Sequence, residues 1–340
     1  MMVRSVLALL MAALFLSSAP ARATEFEQLP GAFAGGSKVW WWNLEMRAHV
    51  PAAARGKPGP VVLLLHGCGQ QAETFAFESG WRDLSERRGF ALVVAQFKDF
   101  VAPFGNEGQG CLWWFDEDSR AANEQNQTGR LRQAVLKTRE IYGISGGDNF
   151  VVGLSAGGGM ALVMLTTYPD DFAAGASIAG VAVGCSRIGA NLGGYMAMPN
   201  ELRRAFGCME GPAGIKMVDD WAREAERMLP RRSVWPRLSI WQGDHDKTVA
   251  CVNAIQIAQQ WGGLHRVGAP GFATCEDAPP PPKPFAPVWA AGDQVELRIL
   301  QGLDHSVPVD TAARCGTAGD HVKPFGVCAA SEIVEFFGFK

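Results

Sequence analysis

The stretch Gly153-Leu154-Ser155-Ala156-Gly157 is a G-x-S-x-G pentapeptide between a short apolar run at residues 150–154 and a helix-like run at residues 157–167. A sharp turn from strand to helix holds the serine side chain above the end of a sheet and requires small neighbours. The chain has 40 glycines, so the bare pattern also fits a glycine-rich turn that opens a helix. The apolar run before it and the Gly158-Gly159 pair after it favour Ser155 as a nucleophile.

Short apolar runs alternate with helical segments along the rest of the chain. They predict strands at residues 60–65, 91–95, 150–154, 174–178, 238–241 and 295–300. Helices are predicted at residues 73–88, 157–167, 215–228, 253–261 and 331–337. This alternation predicts an α/β fold with a mainly parallel, doubly wound sheet. The Trp-rich, alternating residues 39–50 predict an antiparallel strand at the entry to that sheet.

A serine hydroxyl is a weak nucleophile at neutral pH, so Ser155 needs a histidine base and a carboxylate that orients the base. In folds with such an elbow the chain order is serine, acid, histidine. His305 follows the predicted strand at residues 295–300 in a short Gly-containing loop and is therefore the predicted base. His265, beyond a helix, and His321, in a segment that a disulfide would close, are predicted to be solvated surface histidines.

Two candidate acids lie in residues 242–249, Gln-Gly-Asp-His-Asp-Lys-Thr-Val, which leave the end of another predicted strand. Asp246 follows a turn that begins at a glycine and precedes the Thr248-Val249 pair that leads to the next helix, so we predict it to be the acid. Asp244 is predicted to be a turn residue whose carboxylate caps backbone amides.

Acyl transfer also needs N–H donors directed at the developing oxyanion. The predicted donors are the backbone amide of Ala156, directly after the nucleophile, and that of Cys68, in the Leu-His-Gly-Cys-Gly-Gln loop at residues 65–70. His66 lies in the same loop but precedes the nucleophile in the chain. We therefore predict that His66 braces the loop and is not the base.

Residues 1–23 predict a secretory signal peptide. Arg4 gives a basic beginning, residues 6–16 an apolar run, and Ala21-Arg22-Ala23 an A-x-A cleavage site. The apolar run is shorter than the ~20 residues of a membrane span, so no stable membrane anchor is expected. The mature chain, residues 24–340, is predicted to be one catalytic domain that is secreted to the periplasm or the medium.

The eight cysteines are expected to be oxidised if the chain is exported. They form no C-x-x-C pair and do not lie with histidines at zinc spacing, so no metal site is predicted. Eight cysteines allow about 105 connectivities. Nearest-neighbour pairing is favoured because each pair brackets one loop-rich segment: Cys68–Cys111, Cys185–Cys208, Cys251–Cys275 and Cys315–Cys328.

Charge and composition narrow the possible partners. The formal net charge is −3 and the chain has no Lys/Arg-rich run, so nucleic acid is not an expected partner. The proline-rich residues 278–287 have the composition of an interdomain linker. Candidate catalytic residues lie on both sides of them, which instead predicts a stiff surface excursion of a single domain.

Several motifs taken together resemble the polyhydroxybutyrate depolymerase-like esterases, a group that also contains feruloyl and acetylxylan esterases. They are Leu65-His66-Gly67-Cys68, Cys111-Leu112-Trp113-Trp114-Phe115, Tyr142-Gly143-Ile144, the elbow at residues 153–158 and Gly243-Asp244-His245-Asp246. The resemblance runs from about residue 39 to the C-terminus. It implies an α/β-hydrolase fold, no cofactor, the Ser155–His305–Asp246 triad and an ester substrate, including a polymeric one. It also supports a Cys68–Cys111 bridge that ties the oxyanion loop to the Trp-rich loop.

The aromatic motif departs from the family pattern. The family often has Cys-Trp-Asn-Trp-Phe, whereas this chain has Leu112 and Trp113 in the second and third positions. Trp113, Trp114 and Phe115 are predicted to line an acyl or polymer site, although such a cluster equally fits a core. No linker and separate polymer-binding module is evident, so adsorption to a solid polymer would use the catalytic domain's own surface.

The leading hypothesis is a hydrolase of short hydroxyalkanoate esters or of the corresponding polyester. Feruloyl or acetylxylan ester hydrolysis is the near alternative. From other classes, a serine peptidase and a catalytically silent binding protein on the same fold remain open.

Overall fold

The computed structural model describes residues 26–31, 33–36, 41–100, 110–188, 200–211, 218–227 and 234–339. The predicted signal peptide at residues 1–23 lies outside these ranges. Within them, no helix is both long enough and apolar enough to cross a bilayer.

The centre of the molecule is a mostly parallel sheet. The strands are β1 Glu27–Gln28, β2 Ala34–Gly36, β3 Trp41–His49, β4 Val61–Leu65, β5 Ala91–Phe100, β6 Asn149–Leu154, β7 Ala174–Ile178, β8 Arg237–Gly243, β9 Trp289–Ala291, β10 Val295–Leu300, β11 Val307–Val309 and β12 Val322–Pro324. The order of the strands in the sheet is β1-β3-β5-β4-β6-β7-β8-β10-β9, with β2 paired to β3, and a second small sheet pairs β11 with β12. The six strands from β5 to β10 along this order are parallel, while β3 and β9 join antiparallel. The predicted parallel sheet with an antiparallel entry strand is therefore confirmed.

Helices pack on both faces of the sheet, where two separate apolar layers are buried. They are α1 Ala72–Glu78, α2 Trp81–Arg88, α3 Gln127–Tyr142, α4 Ala156–Thr167, α5 Cys185–Ile188, α6 Asn200–Met209, α7 Val218–Glu226, α8 Val252–His265 and α9 Ala329–Phe337. Every residue of α4 is buried, so this helix lies in the core along its whole length. The sheet is therefore doubly wound, as expected for a parallel sheet segment that is buried on both faces.

Several helices differ from the prediction: one predicted helix is broken, and α3, α5 and α6 were not predicted. The helix predicted over residues 73–88 is broken into α1 and α2 at Gly80, whose φ is +81°. A β-carbon there would lie 2.9 Å from the Gly316 nitrogen, so the break lets another backbone approach closely. The helix α3 was not predicted, although its signals are present. Asn126 caps its first turn by accepting from the Gly129 amide, and Gly143 ends it in a left-handed conformation.

The disulfide bonds agree with the pairing predicted from the sequence. All four nearest-neighbour disulfides are present: Cys68–Cys111, Cys185–Cys208, Cys251–Cys275 and Cys315–Cys328. The proline-rich residues 278–287 lie between β8 and β10, which are parallel neighbours in one sheet. Arg298 of β10 donates to the Phe285 carbonyl oxygen at 2.9 Å, so this run packs against the sheet that it connects.

Candidate active site

The strand-to-helix turn at Ser155 is sharp and strained. Ser155 has φ +57° and ψ −119°, between the end of β6 and the start of α4. A non-glycine residue in such a conformation costs about 1–3 kcal/mol and persists only where its surroundings fix it. Here the Ser155 amide donates to the Ile178 carbonyl oxygen at 2.8 Å, and its own carbonyl accepts from Gly159 at 2.9 Å. The backbone of Ser155 is thus held on both sides.

The glycines of the pentapeptide are required by close packing. A β-carbon at Gly153 would lie 2.1 Å from the Gly157 oxygen, and one at Gly157 would lie 2.2 Å from the Leu65 oxygen. No side chain fits at those distances. Small residues at both positions therefore allow α4 to start directly against β6 and the end of β4.

His305 and Asp246 are brought together across 59 residues of sequence. His305 Nδ1 lies 2.6 Å from Asp246 Oδ2, and both residues are buried. Because a carboxylate oxygen can only accept, Nδ1 carries a proton, and in a neutral ring Nε2 is then the acceptor nitrogen. A general base for a serine hydroxyl needs such an acceptor.

The Asp246 carboxylate is fully engaged. Its Oδ1 accepts from the amides of Thr248 and Val249, both at 2.8 Å, and its Oδ2 accepts from Gln242 Nε2 at 2.9 Å as well as from His305. With no exposed side-chain surface and four donors, the carboxylate has one orientation. It can hold the imidazole of His305 in one rotamer and one tautomer.

Asp244 has a different environment. Its Oδ1 accepts from the Gly302 amide at 2.6 Å, and its own amide donates to the Leu300 carbonyl oxygen at 3.2 Å. These bonds join the turn after β8 to the turn after β10. The structure therefore places Asp246 beside His305 and Asp244 in the turn-bracing position.

The loop after β4 lies against the elbow. A β-carbon on Gly67 would be 3.4 Å from the Ser155 β-carbon, and the Cys68–Cys111 bridge fastens the next residue to the Trp-rich loop. The Gly67 amide donates to Gln70 Oε1 at 2.8 Å, so it is already paired. Ala156 is the first residue of α4, where an amide has no acceptor inside the helix.

The three other histidines weighed in the sequence analysis have different environments. His66 is buried and its Nδ1 lies 2.6 Å from the Gly67 oxygen, which is a loop-bracing contact, and burial lowers its pKa. His265 was expected to be a solvated surface residue, but it is half-buried. Its Nε2 lies 3.1 Å from the Pro236 oxygen, and desolvation lowers its pKa. His321 is exposed, as predicted, and its ring centre lies 5.4 Å from that of His305. Sequence reasoning missed this neighbour.

The three aromatic residues of the Trp-rich loop lie at different depths. Trp113 and Trp114 are buried, whereas Phe115 is half-buried and meets Trp114 edge-on at 5.6 Å. The Trp114 ring packs where a side chain on Gly159 would otherwise lie, at the start of α4. Packing explains both tryptophans, and contact between this cluster and a substrate stays a prediction.

Among the described residues, no group of three or more His, Cys, Asp or Glu side chains is arranged to hold a metal ion. A cavity of about 960 Å³ lies between α2, residues 283–287 and the start of α9. Its lining contains none of Ser155, Asp246 and His305. Ser155, Asp246 and His305 instead follow the carboxyl ends of β6, β8 and β10, the edge at which ligands usually bind in open α/β sheets.

Comparison with known proteins yields one family and several relatives. The family model described as esterase PHB depolymerase matches residues 44–272. Poly(3-hydroxyalkanoate) depolymerase C of Paucimonas lemoignei is 32% identical over 302 residues, which cover 87% of this chain and 67% of that protein. A probable acetylxylan esterase A of Aspergillus clavatus is 28% identical, with 79% and 81% of the two chains covered.

A solved structure supports the same fold. The acetyl xylan esterase from Aspergillus awamori superimposes with a TM-score of 0.67 at 24% sequence identity. The alignment covers 93% of this chain and 99% of that one. The predicted α/β-hydrolase fold is thereby confirmed.

Proposed function

This chain belongs to the esterase PHB depolymerase family and is a carboxylic ester hydrolase, and on that premise we propose that Ser155, His305 and Asp246 are its catalytic triad. The observation that carries the proposal is the 2.6 Å contact between His305 Nδ1 and the buried Asp246 carboxylate. It lies at the carboxyl edge of the sheet, the edge at which β6 ends in the strained Ser155 elbow.

The proposed reaction has two halves. In the first, Ser155 Oγ attacks the ester carbonyl carbon while His305 Nε2 takes the hydroxyl proton, and Asp246 stabilises the imidazolium that forms. Collapse of the tetrahedral intermediate breaks the ester C–O bond, and His305 returns the proton to the departing alcohol. In the second, water attacks the acyl-Ser155 ester with His305 again as base. This releases the carboxylic acid and restores the serine.

The proposed oxyanion donors are the amides of Ala156 and Cys68. Ala156 begins α4, so its amide is free of helical pairing and lies at the positive end of the helix dipole. In the loop after β4, the Gly67 amide is occupied by Gln70, which makes the Cys68 amide the next donor along the chain. The bridge to Cys111 limits how far that amide moves.

For the substrate we propose esters of hydroxyalkanoic acids, including poly(3-hydroxybutyrate). The support is the relative from Paucimonas lemoignei, which acts on poly(3-hydroxyalkanoate) by its name and matches most of this chain. Acetylated xylan is the second candidate, because relatives named acetylxylan esterase match 78–79% of the chain. Phe115, the most exposed of the three aromatics, is the proposed contact for the acyl or polymer chain, with Trp113 and Trp114 behind it.

We also propose that the protein is exported through the leader at residues 1–23. Four disulfides support an oxidising compartment, since such bonds do not persist in most cytosols.

The test is a substrate panel on the purified mature protein. Turnover of p-nitrophenyl butyrate is measured with and without a serine-directed phosphonate, and the labelled residue is located by peptide mapping. We expect loss of activity in step with labelling of Ser155. Hydrolysis of polyhydroxybutyrate film, acetylated xylan and methyl ferulate then ranks the substrates. Labelling of another serine would remove the nucleophile assignment, and hydrolysis of xylan acetate alone would replace the polyester proposal.

A further inference from the structure

Gln70 connects two loops of the candidate site. Its side chain is buried, its Oε1 accepts from the Gly67 amide at 2.8 Å, and its Nε2 donates to the Asp320 carbonyl oxygen at 2.7 Å. Both partners are backbone groups of fixed polarity, so the orientation of the amide is determined. Gln70 thus joins the oxyanion loop to a segment that lies 250 residues further along the chain.

The segment at residues 317–322 in turn contacts the proposed base. His321 follows Asp320 directly, and its Nδ1 lies 2.8 Å from the backbone oxygen of His305. A carbonyl oxygen only accepts, so Nδ1 of His321 carries a proton. The His321 backbone has φ +56°, which is uncommon for a non-glycine residue. The His321 ring meets the His305 ring edge-on, with the ring centres 5.4 Å apart.

The same segment is anchored independently of Gln70. The Thr317 amide donates to the Glu78 carbonyl oxygen at 2.8 Å, and the Val307 amide donates to the His321 oxygen at 2.8 Å. A β-carbon on Gly319 would lie 2.0 Å from the Glu78 carboxyl group, so the segment packs tightly on the end of α1. Loss of the Gln70 bond is therefore expected to leave the segment in place and to shift the oxyanion loop within the range that the Cys68–Cys111 bridge allows.

We propose that Gln70 and His321 are positioning residues of the esterase, forming one brace that sets the oxyanion loop relative to His305. The brace runs from Gly67 through Gln70 and the Asp320 carbonyl to His321 and the backbone of His305. The proposal rests on the function given above, because it assigns the loop after β4 to the oxyanion and His305 to the base. Both residues bind backbone groups: Gln70 binds those of Gly67 and Asp320, and His321 binds that of His305. Each acts through the group that it holds.

The first test breaks the brace at Gln70. Gln70→Glu keeps an acceptor for the Gly67 amide but places an oxygen against the Asp320 carbonyl, and Gln70→Met removes both bonds without adding charge. We expect kcat for p-nitrophenyl butyrate to fall by about 10- to 100-fold in both, as for small misplacements of catalytic groups. KM is expected to stay within about threefold, since the displaced donor acts mainly on the transition state. Gln71→Glu is the matched control, because Gln71 is the exposed neighbour whose side chain caps nothing.

The second test breaks the brace at His321. His321→Ala removes the donor to the His305 carbonyl, whereas His321→Asn can place an amide nitrogen at the same position and tolerates a left-handed backbone. We expect His321→Ala to lower kcat by about tenfold and His321→Asn to restore most of it. Because both ends act through one chain of bonds, the loss in Gln70→Met combined with His321→Ala is expected to be well below the product of the single losses.

Hydrogen exchange of the peptide at residues 65–70 supplies a readout that does not depend on turnover. We expect faster exchange there in Gln70→Met than in the wild type or Gln71→Glu, at unchanged thermal midpoint. Faster exchange in a protein that cleaves no ester would keep the brace and remove the proposed function. Three results would each overturn the brace. The first is an active wild type with unchanged kcat in both Gln70 variants, and the second is a loss in the double variant equal to the product of the single losses. The third is equal activity of His321→Asn and His321→Ala.

Discussion

Asp246→Asn is the substitution that most directly tests the site. The carboxylate has two oxygens with two donors each: the amides of Thr248 and Val249 on Oδ1, and the side chains of Gln242 and His305 on Oδ2. An asparagine has one oxygen and one NH₂ group. The two backbone amides cannot rotate, so the oxygen remains with them and the NH₂ group faces two donors.

The conflict with His305 is relieved if the ring changes its tautomer. Nδ1 then accepts from the asparagine and Nε2 carries the proton, so the ring nitrogen required as the base is blocked. Loss of the correct tautomer costs about 10⁴ in kcat in a serine hydrolase. At about 1.36 kcal/mol per tenfold, this is about 5.4 kcal/mol of transition-state stabilisation. We expect a fall of that order in kcat with little change in KM.

Asp244→Asn is the matched control for this change. Asp244 accepts one hydrogen bond, from the Gly302 amide, and an asparagine oxygen accepts it equally well. We expect kcat within about threefold of the wild type, since the loop join is preserved. The assay is steady-state hydrolysis of p-nitrophenyl butyrate, with the thermal midpoint as a check on folding. The reasoning is refuted if Asp246→Asn keeps kcat within tenfold of the wild type, or if Asp244→Asn shows the larger loss.

Three further substitutions have defined outcomes. Ser155→Ala is expected to lower kcat by about 10⁶ while the protein stays folded, and phosphonate labelling that persists in it would show a different nucleophile. Cys111→Ser should lower kcat by a larger factor than the affinity for a substrate analogue, and should lower the free energy of unfolding by about 2–5 kcal/mol. Cys275→Ser is the control and should lower stability alone. Equal losses of kcat in the two variants would contradict this prediction. Gly157→Ala places a β-carbon 2.2 Å from a backbone oxygen, so chemical denaturation is expected to show a free energy of unfolding lower by more than about 3 kcal/mol. Gly59→Ala is the control, because a β-carbon there meets nothing within 4 Å, and a change of about 0.5 kcal/mol or less is expected.

The sequence was sufficient for the central strands and the elbow because their signals are local. Buried parallel strands appear as short continuous apolar runs, and β7 and β10 have the predicted bounds. The elbow is defined by glycines with no room for side chains, because Gly153 lies against the Gly157 backbone and Gly157 against the end of β4. The break at Gly80 was missed because it depends on the distant Gly316 backbone, which no local pattern indicates.

The same contrast between local and distant signals separates the choice of Asp246 from the contact of His321 with His305. Asp246 was favoured from its position in a turn, and the turn itself supplies two of the four donors to its carboxylate. His321 reaches His305 only because β11 pairs with β12, which sets Val307 beside Val322. Pairing of two three-residue strands leaves almost no periodic signal. The triad candidates were therefore accessible to sequence reasoning, while their supporting contacts were not.

The strain at Ser155 explains why the site depends on the core beneath it. A serine with a φ of +57° keeps that conformation only if its surroundings stabilise it by more than the strain costs. Those surroundings are the bond from its amide to β7, the bond from Gly159 to its carbonyl, and a helix α4 that is buried along its length. We therefore expect substitutions that loosen α4 without touching a catalytic group to relax the elbow. Ester turnover in such variants is expected to fall at temperatures where the sheet is still folded, because the strained Ser155 conformation depends on these contacts.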